Sequence, residues 1–330
     1  MYVGSQIPFT EENLRFAAQM GITHVDTAPD KGLGLEEGGA WRADKLCAVR
    51  EKVESFGLTL AAMHLPLSSA GIEKQVWPNI MLGAPERDRD IEKVHQSIEA
   101  AAKAGIPLLL YNLAILPVVR SPHRSLGRGG VTYSHFDYED VRNDPPKPFA
   151  PVTADMAWER ITYFVERVLP VADACKVRLG CHQHDPGMPS GIGYRGVERV
   201  LGTIEGVKRF IELSPSPYHG LNFCQGTISE MCTNPEQVYD AIRYFGNRNK
   251  IFWVHFRNIR GGWLKFDEVF PDEGDINMLK AMRTYKEVGY DGVFVADHVP
   301  HSADDSPFGH RAHAFSSGYI RGLIQAVTEG

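Results

Sequence analysis

Short apolar runs that end in a polar residue recur along this chain, each joined to a stretch whose apolar residues return every three or four positions. The first kind reads as a strand buried on both faces and the second as a helix packed along one side. Their alternation implies a parallel sheet covered by helices. With a weak first strand over Met1 to Gly4, eight such units follow one another. The later strands are expected to end at Asp26, His64, Asn112, Cys181, Phe223, Val254 and Ala296. Helices are expected over Thr10 to Met20, Ala40 to Phe56, Thr153 to Ala174, Gly193 to Leu213, Asn234 to Phe245, Asp275 to Val288 and Arg311 to Val327, with one more in the charged segment closed by Gly105. Eight units close a parallel sheet into a (β/α)8 TIM barrel, a fold that commonly runs to about 250 residues and beyond. The 330 residues contain no linker between halves, so a single TIM-barrel domain over 1–330 is expected.

Two stretches depart from the alternation. Asp30 to Gly39 is a Gly-rich loop. Pro117 to Val152, inserted after strand 4, contains RSLGRGG and NDPPKP and is too long and too rich in breakers for a simple connection. Such an insertion usually serves as a lid or as a contact between subunits, and it is the ground for expecting a homo-oligomer.

Composition narrows the function. A hydrophobic content of 43% with 23% charged residues is that of an ordinary globular chain. The net charge of −6 carries no basic stripe, which argues against nucleic acid as a partner. No window approaches the roughly 18 consecutive apolar residues of a membrane helix, and the first residues lack the pattern of a secretory signal, so no membrane association and a cytoplasmic location are expected. Five cysteines, an odd number and widely spaced, suit a reducing compartment better than a disulfide framework. Neither GxGxxG after a first strand nor GxxxxGK[ST] occurs, so the usual nucleotide fingerprints are missing.

In a barrel the C-terminal ends of the strands converge on one mouth. There this chain would place His182, Cys224, His255 and Asp297, each after an apolar run. One carboxylate, one thiolate and two imidazoles form a mixed O/N/S set suited to a divalent transition metal. Singly, each has a plainer reading: a histidine beside an apolar run usually packs, and Cys224 alone would be a small buried hydrophobe. Recurrence at corresponding points of separate units is what favours a metal site. His298, directly after Asp297, is the candidate general base or acid, since an imidazole with a pKa of about 6.5 exchanges protons near neutrality; the alternative is a residue that only supports the ligands. Arg257 and Asn258 offer donors for a substrate carboxylate or hydroxyl, although Arg257 equally suits a structural salt bridge. Asn112 could face substrate hydroxyls, and His184 could touch substrate or hold its loop. His301, His310 and His313 are looser candidates.

The same stretches carry a resemblance. IMLGAPERDRDIEKVHQSI is similar to the pattern LG-x-PERD-x-x-I, IPLLLYNLAILPV to YNFMPV, and CHQHDPG to HPDDPP; GLNFCQGTISE, VHFRNI, GDINMLKAM and the DH of VADHVP continue the series. With these seven regions in the same order, the chain resembles the mannonate dehydratases, metal-dependent barrels of the xylose-isomerase-like type that convert D-mannonate to 2-dehydro-3-deoxy-D-gluconate. The resemblance implies that His182, Cys224, His255 and Asp297 bind the metal, with manganese foremost and iron, cobalt or zinc as alternatives. It also implies that His298 transfers the proton and that the partner is a small sugar acid, with Asn112, His184, Arg257, Asn258 and His310 remaining the candidates read from the residues themselves for contact with the substrate. Departures are plain as well. Val295 stands where the family has an arginine, His184 where it has an acidic residue, and the tyrosine of a GYPLY-like stretch has only Phe308 or His310 nearby. These differences leave open a changed sugar acid, a metal-dependent sugar isomerase or epimerase, or a non-catalytic sugar-acid-binding barrel.

Overall fold

A computed structural model describes residues 1–28 and 39–329, so most of the Gly-rich loop Asp30 to Gly39 lies outside the described residues. The strands in chain order are β1 (Tyr2–Gln6), β2 (His24–Thr27), β3 (Thr59–His64), β4 (Leu108–Asn112), β5 (Arg124–Leu126) and β6 (Thr132–Asp137). They continue with β7 (Arg178–His182), β8 (His219–Cys224), β9 (Ile251–His255), β10 (Asn258–Gly262), β11 (Lys265–Val269) and β12 (Val293–Ala296). Eight of them close a barrel in the order β1-β12-β9-β8-β7-β4-β3-β2, and every pairing within it is parallel. The weak first strand is a full member, held on both edges by β12 and β2.

Alternation along the strands sorts the core into two layers. Leu108, Leu110, Val293 and Val295 join Ala62 and Trp253 in a cluster inside the barrel. The residues between them turn outward to the helices: Tyr111 meets Phe164 at 5.6 Å between ring centroids, and Phe294 meets Tyr285 at 5.1 Å. The helices begin where a side chain can cap them. Thr10, Thr153 and Thr203 each accept a hydrogen bond from the backbone N–H three residues on, opening helices Glu11–Gln19, Ala154–Cys175 and Ile204–Glu212. None of the described helices is long and apolar enough to cross a membrane.

Two expectations need correction. The helix expected from Gly193 begins only at Ile204, because Arg195 and Gly196 adopt positive φ and Tyr194 bridges back to Val197. The stretch after His255 also holds a hairpin, β10–β11, that the apolar pattern did not predict. Its strands pair with the insertion to form a second, antiparallel sheet in the order β10-β11-β6-β5. The insertion therefore packs on the segment that follows β9, close to the mouth.

Candidate metal centre and active site

His182, Cys224 and His255 end β7, β8 and β9, and Asp297 follows β12, so four neighbouring staves deliver the four side chains. Cys224 is paired in register with His255, and His182 with Asn222. One potential ligand atom from each residue lies within 4.8 Å of all the others. Cys224 Sγ is 3.7 Å from Asp297 Oδ2, and His255 Nδ1 is 3.5 Å from Asp297 Oδ1. Nδ1 of His182 donates to the Gln183 carbonyl at 2.6 Å, which fixes the tautomer with the Nε2 lone pair free. His255 is 3% exposed, yet neither ring nitrogen has a hydrogen-bond partner among the described residues. Buried polar atoms are rarely left so, and two adjacent imidazoles with a thiol and a carboxylate are donors that a divalent ion would satisfy together.

The electrostatics favour a cation. Burial opposes ionisation of Cys224, but the Arg257 guanidinium, 3.5 Å from Sγ, holds its pKa well below the ordinary thiol value. The thiol also caps helix Gln225–Glu230 by accepting from Thr227 N–H at 3.4 Å. Asp297 is held low against burial by His298 and His255. Burial would depress His255, yet Asp297 and Cys224 pull its pKa up to about 10. Gly226 lets Arg257 come this close, since a Cβ there would lie 2.5 Å from Nε.

Behind the ligands lies a buried ion network. Arg257 reaches Asp185 at 3.0 Å, Glu230 at 3.0 Å and Glu268 at 2.6 Å. Arg120, at the root of the insertion, pairs with Asp185 at 2.5 Å and also with Glu268. Three carboxylates share two guanidinium groups, so one carboxyl is easily kept protonated. Burial and the nearby Asp185 push Glu230 up to about 8. The native state then binds a proton that the unfolded chain has released, and stability falls as pH rises from about 4.3 toward 8. Glu230→Gln is expected to flatten this alkaline decline, as read by thermal melts at pH 6 and pH 9; an unchanged slope would argue against a protonated Glu230.

Three of the metal-ligand candidates, His182, His255 and Asp297, open onto a cavity of about 640 Å³ that is also lined by Asn112, His298 and His313. The side chain of His298 is 39% exposed, and its Nδ1 lies 2.6 Å from Glu268 Oε1. Although burial acts the other way, Asp297 and Glu268 raise its pKa to about 9. Because Glu268 engages Nδ1, Nε2 is the nitrogen left to exchange a proton with a ligand in the cavity. Asn112 and His298 thus stand where the strand ends predict them.

Other expected substrate contacts are committed elsewhere. Arg257 is buried with its guanidinium in the ion network, which takes the structural branch of its two readings. Asn258 donates to the Pro271 and Ile276 carbonyls and accepts from Ile276 N–H, fastening the turn after β11 rather than facing the cavity. His184 is held between the Leu113 carbonyl and Leu201 N–H, and burial keeps it neutral with a pKa down at about 3. His310 lies 2.9 Å from Asn13 Oδ1 and 2.7 Å from Ser306 Oγ, and lines a separate depression beside Arg15. Asn258→Ala is expected to cost about 1–3 kcal/mol through the orphaned backbone groups, with KM unchanged; urea denaturation and kinetics measure the two separately. Sequence reasoning missed Glu268, Arg120 and Glu230. The alternation in KFDEV after a Gly-rich turn is the signal that could have exposed β11 and hence Glu268.

The chain matches known proteins over most of its length. A model of the family described as D-mannonate dehydratase (UxuA) matches residues 13–150 and 146–330. Among curated relatives, a mannonate dehydratase of Thermotoga petrophila is 28% identical over 329 residues, covering 88% of this chain and 87% of the relative. Mannonate dehydratase 2 of Halalkalibacterium halodurans is 27% identical over 327 residues, covering 88% and 89%. The crystal structure of mannonate dehydratase from Streptococcus suis serotype 2 superposes with a TM-score of 0.87 at 24% identity, covering 100% of this chain and 94% of that one. A D-tagatose 3-epimerase-like protein shares the fold at a TM-score of 0.62 and 16% identity. With both halves of the barrel matched to one family and four candidate ligands gathered at its mouth, the chain belongs to the mannonate dehydratase family, hydro-lyases of sugar acids.

Proposed function

We propose that this chain dehydrates D-mannonate to 2-dehydro-3-deoxy-D-gluconate, using a divalent metal held by His182, Cys224, His255 and Asp297. The observation that carries the reading is the convergence of four ligand atoms within 4.8 Å, three of them from residues that line one cavity with His298. Manganese is the preferred ion, with iron, cobalt and zinc accepted by the same donors. When bound, such an ion polarises a 2-hydroxy carboxylate and makes the C2 proton more acidic. His298 Nε2 accepts that proton, and Glu268 orients the ring and stabilises its protonated form. Asn112 contacts a substrate hydroxyl, and Lys74 at the rim offers the carboxylate a cation that Arg257 does not.

Five free cysteines support a reducing, cytoplasmic setting. The insertion acts as a lid over the mouth, and copies of the chain associate; a monomeric sedimentation profile would count against that association.

The test is an assay of metal-depleted protein reloaded with manganese against a panel of aldonic acids, following 2-keto-3-deoxy product. D-mannonate is expected to turn over. If metal binds and no aldonic acid yields that product, the reading fails and isomerase or binding roles replace it.

A further inference from the structure

Strand order places a second histidine opposite the metal ligands. In the closed barrel β3 stands four strands from β9, and β2 stands four strands from β8. His64, the last residue of β3, therefore faces the ligand-bearing side across the mouth, and it lines the same cavity as His298. Its surroundings are unlike those of a packing histidine. Nε2 lies 2.6 Å from Oδ2 of Asp26, whose side chain is fully buried in β2, and Gln6 Nε2 lies 3.0 Å from the same ring nitrogen. The other Asp26 oxygen, Oδ1, is buried without a hydrogen bond among the described residues. Removing a carboxylate from water is costly unless a partner compensates, and the partner here is an imidazole open to the cavity. With Nε2 directed to Asp26, Nδ1 is the atom left for a ligand, and it has no protein partner among the described residues.

We infer that His64, held by Asp26, is the general acid that protonates the departing 3-hydroxyl, working across the cavity from His298. The inference rests on the dehydratase reading. His298 Nε2 takes the C2 proton, and the electron pair of the broken C2–H bond forms the C2=C3 double bond. The C3–O bond breaks with its pair on oxygen, and the proton from His64 Nδ1 completes a water molecule. The enol then ketonises, moving its hydroxyl proton to C3. One proton is removed and one supplied, so no oxidant or other co-reactant is needed. The Asp26 carboxylate holds the ring in place, as a buried carboxylate does behind a catalytic histidine.

The experiment uses manganese-loaded protein with the aldonic acid that the wild type dehydrates fastest, and with its 3-deoxy-3-fluoro analogue. Fluoride leaves with little help from an acid, so the analogue separates proton donation from all other roles. His64→Gln is expected to slow loss of water by about 10²–10⁴-fold while fluoride release stays within a few-fold of wild type. Asp26→Asn, which keeps the ring and removes its carboxylate, is expected to show the same split more weakly. His298→Asn should lose both reactions. Equal loss of water and fluoride in His64→Gln, or wild-type dehydration by that variant, overturns the assignment. A wild type that forms no keto-deoxy product from any aldonic acid overturns the dehydratase reading first and this role with it, a result distinct from either variant outcome.

Discussion

Replacing His298 with asparagine is expected to slow dehydration by about 10²–10⁴-fold while the protein keeps its metal. The physical reason is the division of labour at the end of β12. Asp297 turns its carboxylate toward Cys224 and His255, whereas His298 points Nδ1 at Glu268 and leaves Nε2 at the cavity. Asparagine preserves a polar side chain of similar reach and removes the proton-accepting nitrogen. Steady-state kinetics with metal analysis of the same preparation measures both halves. Turnover near wild type would remove His298 from the chemistry. Metal loss on substitution would instead make it part of the ion site.

Stripping the metal is expected to have the other large effect. A chelator, or Cys224→Ala, should abolish turnover and lower the melting temperature by about 5–10 °C, as follows from roughly 4 kcal/mol of binding energy at an ion concentration near a thousand times Kd. The cluster itself is the reason. Without the ion, Cys224, Asp297, His182 and His255 remain crowded at one point, with the His255 nitrogens unpaired. Protons compete for the same donors, so affinity should fall on acidification as the imidazoles and thiolate are protonated. Calorimetric melts of stripped and reloaded protein at two pH values test both statements. A melting temperature indifferent to manganese would sink the metal assignment.

Much of this site was legible in the chain because a barrel converts position in sequence into position in space. His182, Cys224 and His255 could be picked out since each terminates a short, largely apolar run, as in HGLNFC and IFWVH. Local sequence held no comparable signal for the groups behind them. Arg120 and Glu268 are 148 residues apart, and Arg257 and Asp185 are 72 apart. The Arg120–Glu268 pair exists only after the insertion has packed against β11, and the Arg257–Asp185 pair only after the barrel has closed β7 near β9. His184 misled for a related reason: it sits two residues after a candidate ligand, but the Leu113 carbonyl and Leu201 amide turn its ring away from the mouth. Asp26 and His64 were visible as strand ends, but their pairing was not.

By itself, then, the sequence determined the alternation, the barrel and the four candidate ligands, because apolar periodicity and strand-end polarity are local properties that the parallel fold projects onto one rim. Tertiary structure decided which polar residues face substrate and which are consumed in holding the site. Burial and long-range ion pairing choose the direction of a side chain, and both depend on neighbours that only the closed barrel and its second sheet bring together.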